Sequence, residues 1–248
     1  MTDSKEVPHP PGGMDELTDL TADLVSVPSH EDETAAGDAI ESWLRGETDA
    51  AVERDDAGNV IARRGAGEGS LALVGHHDVV PPDEGQVDDG GYVVREEGDR
   101  LYGRGAADMK GAVAAAMLAF RDADPATELV FASFVGEEVG GVGARHAIED
   151  GFAPDCAVVG EGSTNYSGSD VTDVAVAHRG RRASTLLARG TASHASEPEA
   201  GVNAVYRACD AVDVVRELAT PRTTVLGHDV EGSVVVTEIE GGSAWNVV

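Results

Sequence analysis

The chain has 248 residues, 41% of them hydrophobic, which is enough for a real core and argues against global disorder. Its 18 basic residues face 46 acidic ones, a net charge of −28, and such a surface repels phosphate backbones, so no nucleic-acid partner is expected. No apolar run is long enough for a membrane span, and the polar opening MTDSKEVPHPPGGMDE lacks the basic-then-apolar order of a signal peptide, so the expected location is cytoplasmic, away from membranes.

The acidic residues are spread along the whole chain, and only two of the basic residues, Lys5 and Lys110, are lysines. This pattern fits a halophilic protein, whose self-repulsion is screened by a salty cytoplasm. Cys156 and Cys209 are far apart and form no CxxC pair, so neither a thiolate metal site nor an oxidising compartment is called for.

In chain order, Met14 to Val27 places Leu17, Leu20, Leu24 and Val25 at helical spacing, and Pro28 stops the helix. Thr34 to Leu44 reads as a second helix. Asn59 to Arg63 and Ser70 to Val74 read as strands, the second running into Gly75-His76-His77-Asp78 and halting at Pro81-Pro82. Ala106 to Phe120 is Ala-rich and reads as a helix that begins near Asp108. Glu128 to Val135 reads as a strand ending in Gly136-Glu137-Glu138, and Gly143 to Glu149 as a short helix. Cys156 to Val159 reads as a strand ending in Gly160-Glu161-Gly162. Strands alternating with helices predict an α/β domain with a mostly parallel sheet.

Ser163 to Asp170 is a polar connection. Beyond it, Val171 to Ala177 and Ser184 to Arg189 read as strands, Val202 to Leu218 as a helix and Ser233 to Ile239 as a strand. The expected organisation is therefore an α/β domain over residues 14–170 and a smaller α+β unit over 171–248.

The residues able to do chemistry gather at element ends. His76 and Asp78, Glu137 and Glu138, and Glu161 each follow the carboxyl end of a predicted strand, where open α/β sheets form their ligand sites, and Asp108 opens a helix. One imidazole and several carboxylates suit zinc, cobalt or manganese. In an extended strand i and i+2 share a face, so His76 and Asp78 point together while His77 points away. Asp78 is placed to accept the imidazole N–H of His76. His77 is then a bystander, or the ligand if the register slips by one. Adjacent Glu137 and Glu138 point differently, so one suits metal binding and the other activation of a water. Taken singly, each motif has an ordinary explanation: a surface loop, a solvated acidic pair, a helix N-cap. Their joint occurrence, in order and all at element ends, favours a site.

These segments resemble the M20 amidohydrolases. Gly75-His76-His77-Asp78-Val79-Val80-Pro81 resembles the first metal motif of that family, and Leu101 to Gly111, with Asp108, the second. Gly136-Glu137-Glu138-Val139-Gly140-Gly141 resembles the element holding the catalytic and metal-binding glutamates. Val159-Gly160-Glu161-Gly162-Ser163-Thr164 resembles the next, and Gly190 to Val205 the lid segment. The resemblance implies a zinc-peptidase-like catalytic domain with an inserted α+β lid and dimerisation domain.

The resemblance also implies roles. His76, Asp108, Glu138 and Glu161 would bind two divalent ions, zinc or cobalt, with Asp108 shared between them. Asp78 would orient His76, and Glu137 would be the general base. His194 would help polarise the scissile carbonyl, often in the partner subunit's site, and Arg179 and Asn246 would contact substrate. The implied reaction is hydrolysis of the N-acyl amide of an amino acid or small peptide-like substrate by a homodimer. Ala177-His178-Arg179-Gly180 and Ser193 to Val205 look most like the acetylornithine deacetylase branch; succinyl-diaminopimelate desuccinylases tend to carry a second Arg where His178 stands, and carrier-protein-linked lysine or ornithine hydrolases and dipeptidases stay open. Two departures stand out. Gly162 occupies the usual Pro position after Glu161. The chain also ends at Val248, where relatives go on to supply a final metal-binding His. The sequence is therefore expected to leave the second metal site one ligand short. The alternative reading is an inactive or truncated relative serving as a binding or dimerising module.

Overall fold

The computed structural model describes residues 13–88, 91–162, 173–175, 180–225, 227–242 and 244–248, in two compact units, residues 1–166 and 167–248. The first unit opens with α1 (Gly13–Ser26) and α2 (Thr34–Glu47). Both bury one stripe. Leu20 and Leu24 of α1 and Ala36, Ile40 and Leu44 of α2 recur at helical spacing, and α1 stops just short of Pro28, where the chain turns extended.

Strands β1 (Ala51–Arg54), β2 (Val60–Arg64) and β3 (Ser70–His76) follow. Next come two small ribbons, β4 (Val87–Asp88) with β5 (Gly91–Tyr92), and β6 (Arg95–Glu97) with β7 (Arg100–Tyr102). Then come α3 (Gly111–Asp122), β8 (Glu128–Phe134), α4 (Val142–Glu149) and β9 (Cys156–Val159). The main sheet has the order β1-β2-β8-β3-β9. β8, β3 and β9 are parallel, β2 runs against β8, and β1 against β2, so β2 alone is reversed. β8 is central and buried on both faces. Leu129 and Phe131 face α1, α2 and α3, whereas Val130, Ala132 and Phe134 pack with Ala147 of α4.

The predicted helix from Ala106 does not start there. Ala106–Lys110 is a wide turn in which Asp108 (φ −130°, ψ 94°) and Met109 (φ −133°, ψ 31°) leave helical space, with a cis Asp108–Met109 peptide. Asp108 therefore stands on a turn rather than at a helix start. The turn lets Met109 enter the core, 1% exposed, while the Asp108 side chain stays at the rim. Alanine is compatible with turn and helix alike, so the Ala-rich pattern hides the break.

The second unit differs more from its expected β-β-α-β order. It holds α5 (Ala204–Arg216), capped by Asn203, whose side chain accepts the Tyr206 amide at 3.0 Å. After α5 comes a hairpin of β10 (Arg222–Val225) and β11 (His228–Glu231) flanking Gly227 at φ +82°. Ser184 to Arg189 and Ser233 to Ile239 are not strands, and the predicted strand Val171 to Ala177 falls largely outside the described residues. An alternating apolar pattern becomes a strand only with a partner ladder to pair with. Leu187 is 71% exposed, and no described strand pairs with either segment. Among the described residues no helix is long and apolar enough to cross a membrane.

Candidate metal centre

The parallel register builds the site. His76 lies opposite Phe134 and Val74 opposite Val159, so the segments leaving β3, β8 and β9 emerge side by side at one edge of the sheet. They carry His76 to Asp78, Glu137 with Glu138, and Glu161. A Cβ on Gly75 would stand 2.9 Å from Val113 and 3.0 Å from Met109, so glycine lets the end of β3 press against α3 and the Ala106–Lys110 turn. That contact brings Asp108 to the same edge.

His76 is 2% exposed. Its Nδ1 lies 3.0 Å from the Asp78 carbonyl and 3.4 Å from the Asp78 carboxylate. Its Nε2 aims outward, 3.1 Å from Asp108 Oδ1 and 3.9 Å from Glu161 Oε2. Burial pulls the imidazole pKa down, but the hydrogen bond and charge of Asp78, its carbonyl and the charge of Glu161 outweigh this and hold it up at about 9. His77 points the other way. It is fully buried, with Nδ1 2.9 Å from Ser133 Oγ, and burial pushes it down to about 3. His76, and not His77, is the imidazole that stands with Asp108 and Glu161.

Asp78 does more than face His76. One carboxylate oxygen accepts the Glu137 amide at 3.1 Å and the other the Glu138 amide at 3.0 Å. Burial raises its pKa, and the bonds from His76 and the two amides more than reverse that, so the group is held below the ordinary carboxylate range. Spacing alone gave no sign of this second contact, which joins β3 to a turn some sixty residues away. Lys110 was likewise given no role by its motif. It is buried, its Nζ donates to Leu24 O at 3.0 Å and Val27 O at 2.6 Å, and it stands 5.6 Å from the centre of the Tyr92 ring. Burial lowers its pKa to about 8. The available signal was its rarity in an arginine-rich chain.

One atom each from His76, Asp108 and Glu161 lies within 4.8 Å of the others. Glu138 stands outside that trio, half-buried, and Glu137 is exposed at the rim. Glu161 and Glu138 are both raised above the ordinary value, first by burial and then by the charge of Asp108. Several carboxylates therefore converge on a single imidazole. One nitrogen and several oxygen donors with excess negative charge fit a divalent cation. A small pocket lies beside the trio, with Glu137 on its wall and Met109, Phe134 and Val159 as its apolar lining.

In the second unit, His194 pairs with Val247 in an isolated antiparallel bridge, and the Asn246 carbonyl accepts the Ala195 amide at 3.0 Å. Two of the three residues expected to contact substrate there are thus neighbours. His194 is exposed, its Nδ1 2.7 Å from Ser196 Oγ. The third, Arg179, lies outside the described residues.

Residues 72–241 match the peptidase family M20/M25/M40. The acetylornithine deacetylase of Klebsiella pneumoniae (strain 342) is 35% identical over 164 residues, 64% of this chain and 41% of its own. That of Pectobacterium carotovorum is 37% identical over 152 residues, 59% of this chain and 38% of its own. The chain thus spans about two fifths of the length of these curated relatives. Among solved structures, a tripeptidase from Staphylococcus aureus superposes with a TM-score of 0.62 at 19% identity, over 95% of this chain and 63% of its own. Human carnosine dipeptidase 1 does so at 0.50 and 25%, over 59% of this chain and 38% of its own. The tripeptidase shares the α/β fold.

Proposed function

Because the chain belongs to the peptidase family M20/M25/M40, we propose that it forms the metal-binding part of a hydrolase that cleaves the N-acyl amide of an amino acid. The observation that carries this reading is the convergence of His76 Nε2, Asp108 and Glu161 beside a pocket walled by Glu137. His76, Asp108 and Glu161 would hold one divalent ion, and Glu138 with Asp108 would serve a second. Zinc or cobalt, once bound, supplies an acidified water and a polarised carbonyl.

The chain's own residues do the rest. Asp78 fixes the ring of His76 and the amides of Glu137 and Glu138. Glu137 takes the proton of the attacking water and passes it to the leaving nitrogen. Its exposed place on the pocket wall suits a group that must reach solvent and substrate in turn. Residues 171–248 are assigned as the lid and dimerisation part, with Arg179, His194 and Asn246 as substrate contacts. Similarity to acetylornithine deacetylases supports an acetylated amino acid as substrate.

The test is an amidase assay on N-acetylornithine, N-succinyl-diaminopimelate and a dipeptide, in molar salt, before and after exhaustive chelation. Hydrolysis that vanishes with chelator and returns with zinc or cobalt is expected, with the acetylated substrate preferred. Hydrolysis untouched by chelation would sink the metallohydrolase reading.

A further inference from the structure

The turn carrying Glu137 and Glu138 has a neck and a tip. At the neck, the Gly143 amide donates to Val135 O at 2.9 Å. Within the turn, Gly136, Gly140 and Gly141 sit at φ +60°, +106° and +70°, and the Gly141 and Val142 amides return to Gly136 O at 2.9 and 3.0 Å. At the tip, Asp78 holds the two glutamate amides.

A side chain outside the metal centre closes the neck. Asn59 precedes β2 and is fully buried. Its Oδ1 accepts the Val135 amide at 3.0 Å, and its Nδ2 donates to Gly143 O at 2.9 Å. One amide group therefore grips both ends of the turn. The second Nδ2 hydrogen goes to Asp55 Oδ2 at 2.6 Å. Asp55 Oδ1 in turn gathers the amides of Ala57, Gly58 and Asn59 at 3.0, 3.0 and 2.9 Å. Each polar atom of the Asn59 side chain is thus engaged, and no other side chain type offers an acceptor and two donors in that shape except the longer glutamine. The fit is also tight: a Cβ on Gly143 would stand 2.2 Å from Asn59 Oδ1.

We propose that Asn59 is a positioning residue that sets where the Glu137 and Glu138 carboxylates stand. The inference rests on the roles given to those glutamates above. His76, Asp108 and Glu161 stand at the end of β3, on the Ala106–Lys110 turn and just beyond β9, whereas the Asn59 side chain bonds to Val135, Gly143 and Asp55. Releasing the neck frees the glutamate turn and leaves that trio in place. A buried residue that only stabilised the sheet would affect both alike.

The test uses Asn59→Ala and, by a second route to the same neck, Gly143→Ala. Amide hydrogen exchange across Val135 to Gly143 should quicken about tenfold or more, while exchange at Leu71 to Leu73 of β3 stays at the wild-type rate. In cobalt titrations the ion held by His76, Asp108 and Glu161 should keep its affinity within about twofold, while the ion that depends on Glu138 binds about tenfold more weakly or worse. Unchanged exchange in the turn overturns the proposal. So does exchange that quickens equally in turn and sheet, or failure of both variants to fold, since each makes Asn59 a general stability residue. If the wild-type protein takes up a single cobalt ion, the two-ion reading falls, and the exchange comparison still decides the role of Asn59.

Discussion

The two units make opposite use of similar apolar content. In the first, β8 is buried along nearly its whole length and His76 and Asp78 sink with it into the sheet edge. In the second, none of the described residues is buried, and Leu186, Val235 and Trp245 face outward, the last 95% exposed. The first unit therefore has the packing that fixes a donor atom to a fraction of an ångström. The second has secondary structure but, among its described residues, no core of its own. Metal binding should follow the first unit alone, and contact with substrate or a second copy should fall to the other.

The sharpest way to break this contrast is at the metal. Asp108→Ala removes the carboxylate nearest His76 Nε2, and the tightest cobalt site should weaken by at least about 100-fold, whereas His194→Ala should leave it unchanged. Isothermal titration of both variants decides, and a loss in His194→Ala would show that the second unit helps hold the ion. Packing comes next. Phe131→Ala empties the centre of the sheet and should cost about 3–5 kcal/mol, while Leu187→Ala should stay within about 0.5 kcal/mol, both read from urea unfolding. Equal costs would mean that Leu187 is covered in solution. The smallest effect is local. Asn203→Ala removes the cap of α5 and should cost about 1 kcal/mol, seen as faster amide exchange in α5 with β8 unaffected.

How far the sequence could be read follows the same division. α1 and α2 were legible because burial enforces a period, Leu20 with Leu24 and Ile40 with Leu44, and β3 and β9 because each is a short apolar run closed by glycine. β1 and the small ribbons were not, since AVER carries two charged residues in four and the ribbon strands of two or three residues are too short to show a pattern. At the metal centre, the strand-end placement of His76, Glu137 and Glu161 could be seen from the Gly-rich breaks after apolar runs. The opposed directions of His76 and His77 followed from the two-residue period of a strand. The Asp108 turn, the grip of Asp78 on two amides and the clamp of Asn59 could not be seen, because each depends on a contact between distant segments. In the second unit the alternation at Ser184 to Arg189 and Ser233 to Ile239 was real, but a pattern cannot supply its own partner strand.

Lys110 gives the first unit a built-in reporter. It is the single lysine among the described residues, and its side chain lies sealed beneath Tyr92 against the end of α1. A lysine-specific protease finds no described cleavage point on the closed protein, and it can cut after Lys110 only when α1 lifts away or the whole unit opens. With cleavage slow relative to reclosing, the rate of that cut measures the population of the open form, without any label and at a peptide bond two residues from Asp108. Bound metal at Asp108 should protect that bond more as its occupancy rises, so the fragments cut at Lys110 can follow metal loading.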